Sequence, residues 1–91
     1  MYELRPTTKY RRDVRRLNNR GNDLELLMAA QDLLIQTGTL PDHPYKPHPL
    51  RGDYVNCIDA HIAPDWILIY ELVDEGVIVL RRTGTHSDLF R

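Results

Sequence analysis

His61 and His86, with carboxylates and cations nearby in the second half of the chain, are the residues best able to move protons around a charged substrate. His61 stands in the run Asp59-Ala60-His61-Ile62-Ala63-Pro64-Asp65-Trp66, and His86 follows Arg81-Arg82-Thr83-Gly84-Thr85. Period-2 alternation puts Asp59 and His61 on one face of a strand, where the carboxylate could orient the imidazole. Lys46, Arg51, Arg81 and Arg82 are the cations within reach. Two imidazoles, a carboxylate and guanidinium groups fit the cleavage of RNA by its own 2′-hydroxyl. That reaction needs a base for the 2′-proton, an acid for the leaving 5′-oxygen and cations for the charged phosphorane. Histidine serves both proton transfers near neutral pH, and Arg holds phosphate through its bidentate fork better than Lys does.

These residues need strands to bring them together. Three β-rich runs, 54 to 62, 66 to 73 and 77 to 83, are joined by Ala63-Pro64-Asp65 and Asp74-Glu75-Gly76, turns short enough to predict an antiparallel meander. Summing residue numbers across each turn puts His61 opposite Trp66, and Trp66 opposite Gly84. With strands about 4.8 Å apart, one end of the sheet then collects His61, Asp65, Thr85 and His86. The middle run (Trp66, Ile67, Leu68, Ile69, Tyr70) is apolar on both faces, as a covered central strand should be.

Upstream, residues 2 to 5 predict a short strand closed by Pro6. Thr7 or Thr8 then caps a helix carrying Tyr10, Val14 and Leu17 on one face. After Arg20-Gly21-Asn22, Asp23 caps a second helix lined by Leu24, Leu27, Met28, Leu34 and Ile35 and ended by Gly38. Between Thr39 and Gly52, four prolines predict an ordered but irregular loop that holds His43 and His48. The order strand, helix, helix, three strands is that of an α+β domain.

Ninety-one residues give one domain, 1–91, and 42% hydrophobic with 27% charged residues is an ordinary globular composition. No apolar run reaches the length of a membrane span and the N-terminus offers no apolar signal segment, so a cytoplasmic protein is expected. The single Cys57 excludes an internal disulfide and a multi-thiolate zinc site. The net charge of −1 hides a split: the first twenty residues hold seven basic and two acidic groups, a balance of +5, against −6 for the remainder. One face is thus suited to a polyanion or an acidic partner, although an Arg-rich helix is often a solvated surface.

Each candidate also has an ordinary use. His61 and His86 could end strands, Asp65 is at home in a turn, and Trp66 and Phe90 suit core anchors as well as base-stacking platforms. His43 is expected on the surface, and Cys57 as a buried inert thiol.

Three segments carry a more specific signal: 46–52 (Lys-Pro-His-Pro-Leu-Arg-Gly), 59–70 with its Asp-x-His-x-x-Pro-Asp-Trp run, and 82–90 with Arg-Thr-Gly-Thr-His. Together they resemble the YafQ branch of the RelE-type toxins, and the preceding strand and helices match in order and length. The resemblance implies a RelE-like fold with two N-terminal helices packed on a small, mainly antiparallel sheet. It implies a toxin of a type II toxin–antitoxin system: a metal-independent, ribosome-dependent endoribonuclease that enters the ribosomal A site, cuts mRNA there and needs no cofactor. The expected partners are a cognate antitoxin, the ribosome and mRNA, with no membrane and with operator DNA met only through the antitoxin complex.

By resemblance, His48, His61, Asp65 and His86 form the catalytic set. His86 would protonate the leaving 5′-oxygen, and Asp65 or His61 would take the 2′-proton. An ordinary Asp, with a pKa of about 3.9, is a weak base near neutrality, which makes His61 the easier candidate. Arg82 would hold the scissile phosphate, Trp66 and Phe90 would orient the site and the mRNA, and Arg51 and Lys46 would add substrate contacts. Asp59 would support His61. The chain departs from the family at Tyr54-Val55-Asn56-Cys57-Ile58, where relatives commonly carry basic residues and glycine, and this leaves the Arg-rich first helix as the ribosome-facing surface. Two other classes compete: a decayed toxin that only binds its antitoxin and regulates its operon, and a His/Asp metallohydrolase, disfavoured because no spaced motif such as His-Glu-x-x-His is present.

Overall fold

The computed structural model describes residues 1–90. Along the chain run β1 (Glu3–Pro6), α1 (Thr8–Asn19), α2 (Leu24–Thr37), a helical turn α3 (Asp42–Tyr45), β2 (His48–Pro49), a 3₁₀ turn (Gly52–Tyr54), β3 (Ile58–Ala63), β4 (Trp66–Asp74), β5 (Val77–Gly84) and α4 (His86–Phe90). Thr7 stays extended and its hydroxyl accepts from the Tyr10 amide, which caps α1. Asp23 caps α2 through the Glu25 amide. Gly38 ends α2 at φ 78°, where a Cβ would also collide with the Tyr2 ring.

The sheet order is β1-β5-β4-β3-β2, with β1 parallel to β5 and the other pairs antiparallel. The α+β expectation holds, with two corrections. The proline-rich segment is not wholly irregular, because His48 and Pro49 add an edge strand opposite Asp59 and Ile58, a position where a proline costs no ladder bond. The strand expected from Tyr54 starts only at Ile58, since Gly52–Tyr54 coils into the 3₁₀ turn and Asn56 sits at φ 71°.

The register also differs from expectation by one residue. Asp65 takes φ 53° in the turn and a bulge falls between His61 and Ala63, so His61 faces Ile67 and Ile67 faces Gly84. A one-residue slip moves a side chain to the other face of a sheet. Trp66, Leu68 and Tyr70 therefore point into the main core with Ala60, Ile78 and Leu80, against Tyr10, Leu17, Leu27, Ala30 and Leu34 of the helices. Ile67 and Ile69 take the opposite face and share a smaller cluster with Cys57 and Leu89 of α4. Full burial of each such aliphatic side chain stabilises by about 1.5–3 kcal/mol, so both layers hold β4.

One edge of β5 is finished by a helix. Pairing with β1 stops at Pro6 opposite Leu80. Beyond it, Thr7 Oγ1 donates to the Arg81 carbonyl at 2.8 Å and the Thr83 amide donates to Asp13 Oδ2 at 3.1 Å. Side chains of α1 and its cap thus satisfy a strand edge that would otherwise stand open.

Candidate active site

Two groups of side chains form at one end of the sheet. In the first, pairing of β2 with β3 sets His48 opposite Asp59. His48 Nε2 lies 3.0 Å from Asp59 Oδ1, and His48 Nδ1 lies 3.1 Å from the Lys46 carbonyl. The Nε2 contact is poorly aligned, and Asp59 Oδ1, in a residue only 4% exposed, lacks a well-directed donor. His61 follows two residues on from Asp59, its ring centroid 6.2 Å from that of His48. It has no hydrogen-bond partner among the described residues and borders a 530 Å³ cavity lined by Pro44, Lys46, Ile62, Ala63 and Pro64.

The second group joins the β3–β4 turn to α4. Asp65 Oδ1 accepts from the His86 backbone amide and lies within hydrogen-bond distance of His86 Nδ1, both at 3.2 Å. The amide bond, followed by the imidazole contact, holds the Asp65 carboxyl below the usual carboxylate range. With Nδ1 engaged, Nε2 is the nitrogen of His86 left to meet a substrate. The His86 ring lies 5.9 Å from Phe90, and Phe90 meets Tyr54 edge to face at 5.8 Å. Both His86 and Phe90 are exposed.

Between these groups and α1 lies a network that the sequence did not reveal. Arg82 stands in the row His48, Asp59, Ile69, Arg82 across four strands. Its Nε and Nη2 donate to Asp13 at 2.7 and 3.1 Å, and contact with this carboxylate raises its already high pKa. Arg16 Nη2 donates to the same Asp13 at 2.8 Å. Arg20 forks onto Asp88 at 2.8 and 3.0 Å, which keeps the Asp88 carboxyl well below the carboxylate range, with help from the Thr85 amide. Gly84 leaves room for this, since a Cβ there would lie 2.8 Å from Asp88 Oδ2. Arg81, left unpaired by a bulge in β5, is drawn instead to Glu71.

Trp66 requires a correction. The resemblance puts it at the substrate, whereas its residue type suits a core anchor, and the observed register favours the second: Trp66 lies on the helix-covered face, 4% exposed, its indole N–H donating to Thr83 Oγ1 at 2.9 Å. The ring is closed to a nucleotide and acts by fixing β4 against β5. Phe90, Lys46 and Arg51 are exposed, and Arg51 has no ion pair among the described residues. His43 is on the surface, and Cys57 is buried, its thiol pushed up first by burial and then by Glu71.

Asp13 and Asp88 could not be found by motif. Their signal was two acidic residues standing among arginines or beside the terminal His, which composition cannot separate from a solvated ion pair. The arrangement as a whole supplies an unengaged imidazole, an imidazole oriented by a carboxylate, and a half-buried guanidinium. His48, Asp59 and His61 also present ligand atoms within 4.8 Å of one another, a nitrogen–nitrogen–oxygen set of the kind that zinc or copper accepts. An ion held there would occupy a ring nitrogen of each of His48 and His61.

The chain matches known proteins over nearly its whole length. Residues 2–91 match the family model described as the bacterial toxin of type II toxin–antitoxin systems, YafQ. The chain is 45% identical over 83 residues to the mRNA interferase toxin YafQ of Escherichia coli K12, covering 90% of this chain and 88% of that protein. It superposes with a TM-score of 0.88 on a chain of the E. coli DinJ–YafQ toxin–antitoxin complex, at 38% identity and 99% and 98% coverage. A metal-bound toxin from Helicobacter pylori matches with a TM-score of 0.87 at 32% identity, over 99% of this chain and all of that one.

Proposed function

The chain belongs to the YafQ family of type II toxin–antitoxin toxins and is an mRNA interferase, and on that premise we propose that it cuts mRNA on the ribosome by attack of the 2′-hydroxyl, with His61 as base and His86 as acid. His61 Nε2 or Nδ1 takes the 2′-proton, the freed oxygen bonds to phosphorus, and the 5′-oxygen leaves with a proton from His86 Nε2. The products are a 2′,3′-cyclic phosphate, or its opened 3′-phosphate, and a 5′-hydroxyl end, with no metal needed. Arg82 holds the phosphate, and Phe90, Lys46 and Arg51 border the path of the strand. His48 and Asp59 flank the base.

One observation carries the assignment of roles: Asp65 is spent on His86. Its Oδ1 meets both the amide and Nδ1 of that residue, and a carboxyl held ionised in this way is a poor proton acceptor near neutrality. Asp65 therefore orients the acid and leaves the base to His61, which has no competing partner among the described residues.

The partners follow the same reading. Lys9, Arg11, Arg12 and Arg15 are exposed on α1 and make no ion pair among the described residues, whereas Arg16 and Arg20 are held by Asp13 and Asp88. The exposed set supports a helix that meets ribosomal RNA during cutting and an acidic antitoxin at rest. No helix among the described residues is long and apolar enough to cross a membrane, and action on translated mRNA assigns the protein to the cytoplasm. Primer extension on mRNA under translation tests the reading. The wild type should create new 5′-hydroxyl ends within codons and His86→Ala should not. No new ends from either protein would leave only an antitoxin-binding module, and equal cutting by both would reject the acid.

A further inference from the structure

The carboxylate of Asp13 lies on an N-terminal helix 69 residues from the arginine it holds, yet Asp13 is one of the least exposed charged groups in the molecule, at 2%. It accepts from Arg82 Nε and Nη2, from Arg16 Nη2 and from the Thr83 amide, so both of its oxygens are used. One negative charge faces two guanidinium groups, and the cluster keeps an excess positive charge. The fork from Arg82 to Asp13 uses the Nε–Nη2 edge of the guanidinium; no carboxylate among the described residues meets Nη1, and the Tyr54 hydroxyl is the guanidinium's other polar neighbour. A phosphate can therefore be met by the remaining edge while Asp13 keeps its own.

We infer that Asp13 is a positioning residue for RNA cleavage, which clamps the Arg82 guanidinium and fixes the neighbouring β5 backbone so that the free edge of Arg82 faces the scissile phosphate. This inference rests on the reading of Arg82 as the phosphate ligand. An arginine without such a clamp carries several freely rotating bonds, and ordering it at the moment of reaction would cost part of the binding it provides. The half-buried setting, with the Arg82 side chain 18% exposed, is also where an aimed charge acts more strongly than in water. Arg11 and Arg15 are exposed and make no ion pair among the described residues, whereas Arg12 borders the same cleft as Asp13, Arg16 and Arg82 without an ion pair of its own there.

Single-turnover cleavage on programmed ribosomes is the test, with Asp13→Asn, Arg82→Ala and the double variant. Asp13→Asn keeps the size of the side chain but turns one of its two acceptor oxygens into an NH2 donor that faces a guanidinium or the Thr83 amide. It should lower kcat by roughly 100-fold, the scale seen when one donor to a developing charge is misplaced, and leave KM within a few-fold. In the Arg82→Ala background the same change should have no further effect on kcat. A merely structural role would give losses that multiply, and multiplying losses would overturn the inference, as would a fully active Asp13→Asn. A second measurement needs no variant: in the free wild type, the Arg82 Nε–H proton should exchange with solvent far more slowly than those of Arg11, Arg12 and Arg15 in nuclear magnetic resonance spectra. Equal exchange would refute the clamp. Failure of the nuclease reading would instead show as a wild type that cuts nothing, whatever the exchange rate.

Discussion

The two faces of the sheet use the same strands for different ends. On one, Ala60, Trp66, Leu68, Tyr70, Ile78 and Leu80 are sealed under α1 and α2, and even the polar groups there are satisfied internally, as Trp66 is by Thr83. On the other, Ile67, Ile69, Cys57 and Leu89 make only a small apolar floor. Asp59, His61 and Arg82 stand beside it in alternation with the core residues of the first face, and α4 lays His86 over it. Stability is concentrated on the first face, which frees the second to hold imidazoles with open nitrogens and a carboxylate oxygen without a good donor. The difference teaches that the fold can carry under-satisfied polar groups because it does not depend on them.

If this division is right, substitutions on the two faces should separate activity from stability. The largest effect expected is on chemistry: His86→Ala should lower the single-turnover rate by about 100- to 10,000-fold, the range for losing a general acid, with a melting temperature close to that of the wild type. Leu68→Ala on the sealed face should do the reverse, costing about 2–5 kcal/mol in denaturant unfolding while each molecule that remains folded cuts at nearly the normal rate. Either variant showing both defects in equal measure would blur the comparison.

Trp66→Phe sharpens it further. Loss of the indole donor leaves Thr83 still bonded to the Ile67 carbonyl, so a cost of about 1 kcal/mol in stability is expected with kcat/KM per folded molecule unchanged. A fall in kcat/KM without loss of stability would return Trp66 to the substrate side. The smallest effect is at the rim. Because Arg20 keeps the Asp88 carboxyl below its ordinary range, the ion pair contributes stability above roughly pH 4 and that contribution is lost as the pH falls further. Asp88→Asn should therefore cost about 1 kcal/mol or less at pH 7, and the gap to wild type should close in acid unfolding curves. A gap that widened with acid would contradict the pairing.

The sealed face was the more legible in the sequence. Tyr10, Leu17, Leu27 and Leu34 at helical spacing, the Thr7 and Asp23 caps and the apolar run 66–70 each have a local cause, and each appears where that cause puts it. The active face was legible as a set of residue types but not as geometry. Turn length alone could not reveal that Asp65 would adopt a left-handed backbone or that β3 would bulge after His61, and that single residue of register decided that Trp66 turns inward. His48 gained its place from a two-residue strand too short, and too rich in proline, to read as one. Asp13 was beyond reach for another reason: besides Arg16 on its own helix, its partners Arg82 and Thr83 come from β5, some 70 positions away, and only tertiary structure joins them.

The most direct test of the acid–base division uses an mRNA whose leaving 5′-oxygen at the cut site is replaced by sulfur. A thiolate departs without a proton, so on this substrate His86→Ala should recover most of the wild-type rate while His61→Ala stays impaired. If His86→Ala remained as slow on the sulfur substrate as on the natural one, the imidazole that Asp65 holds would not be the proton donor.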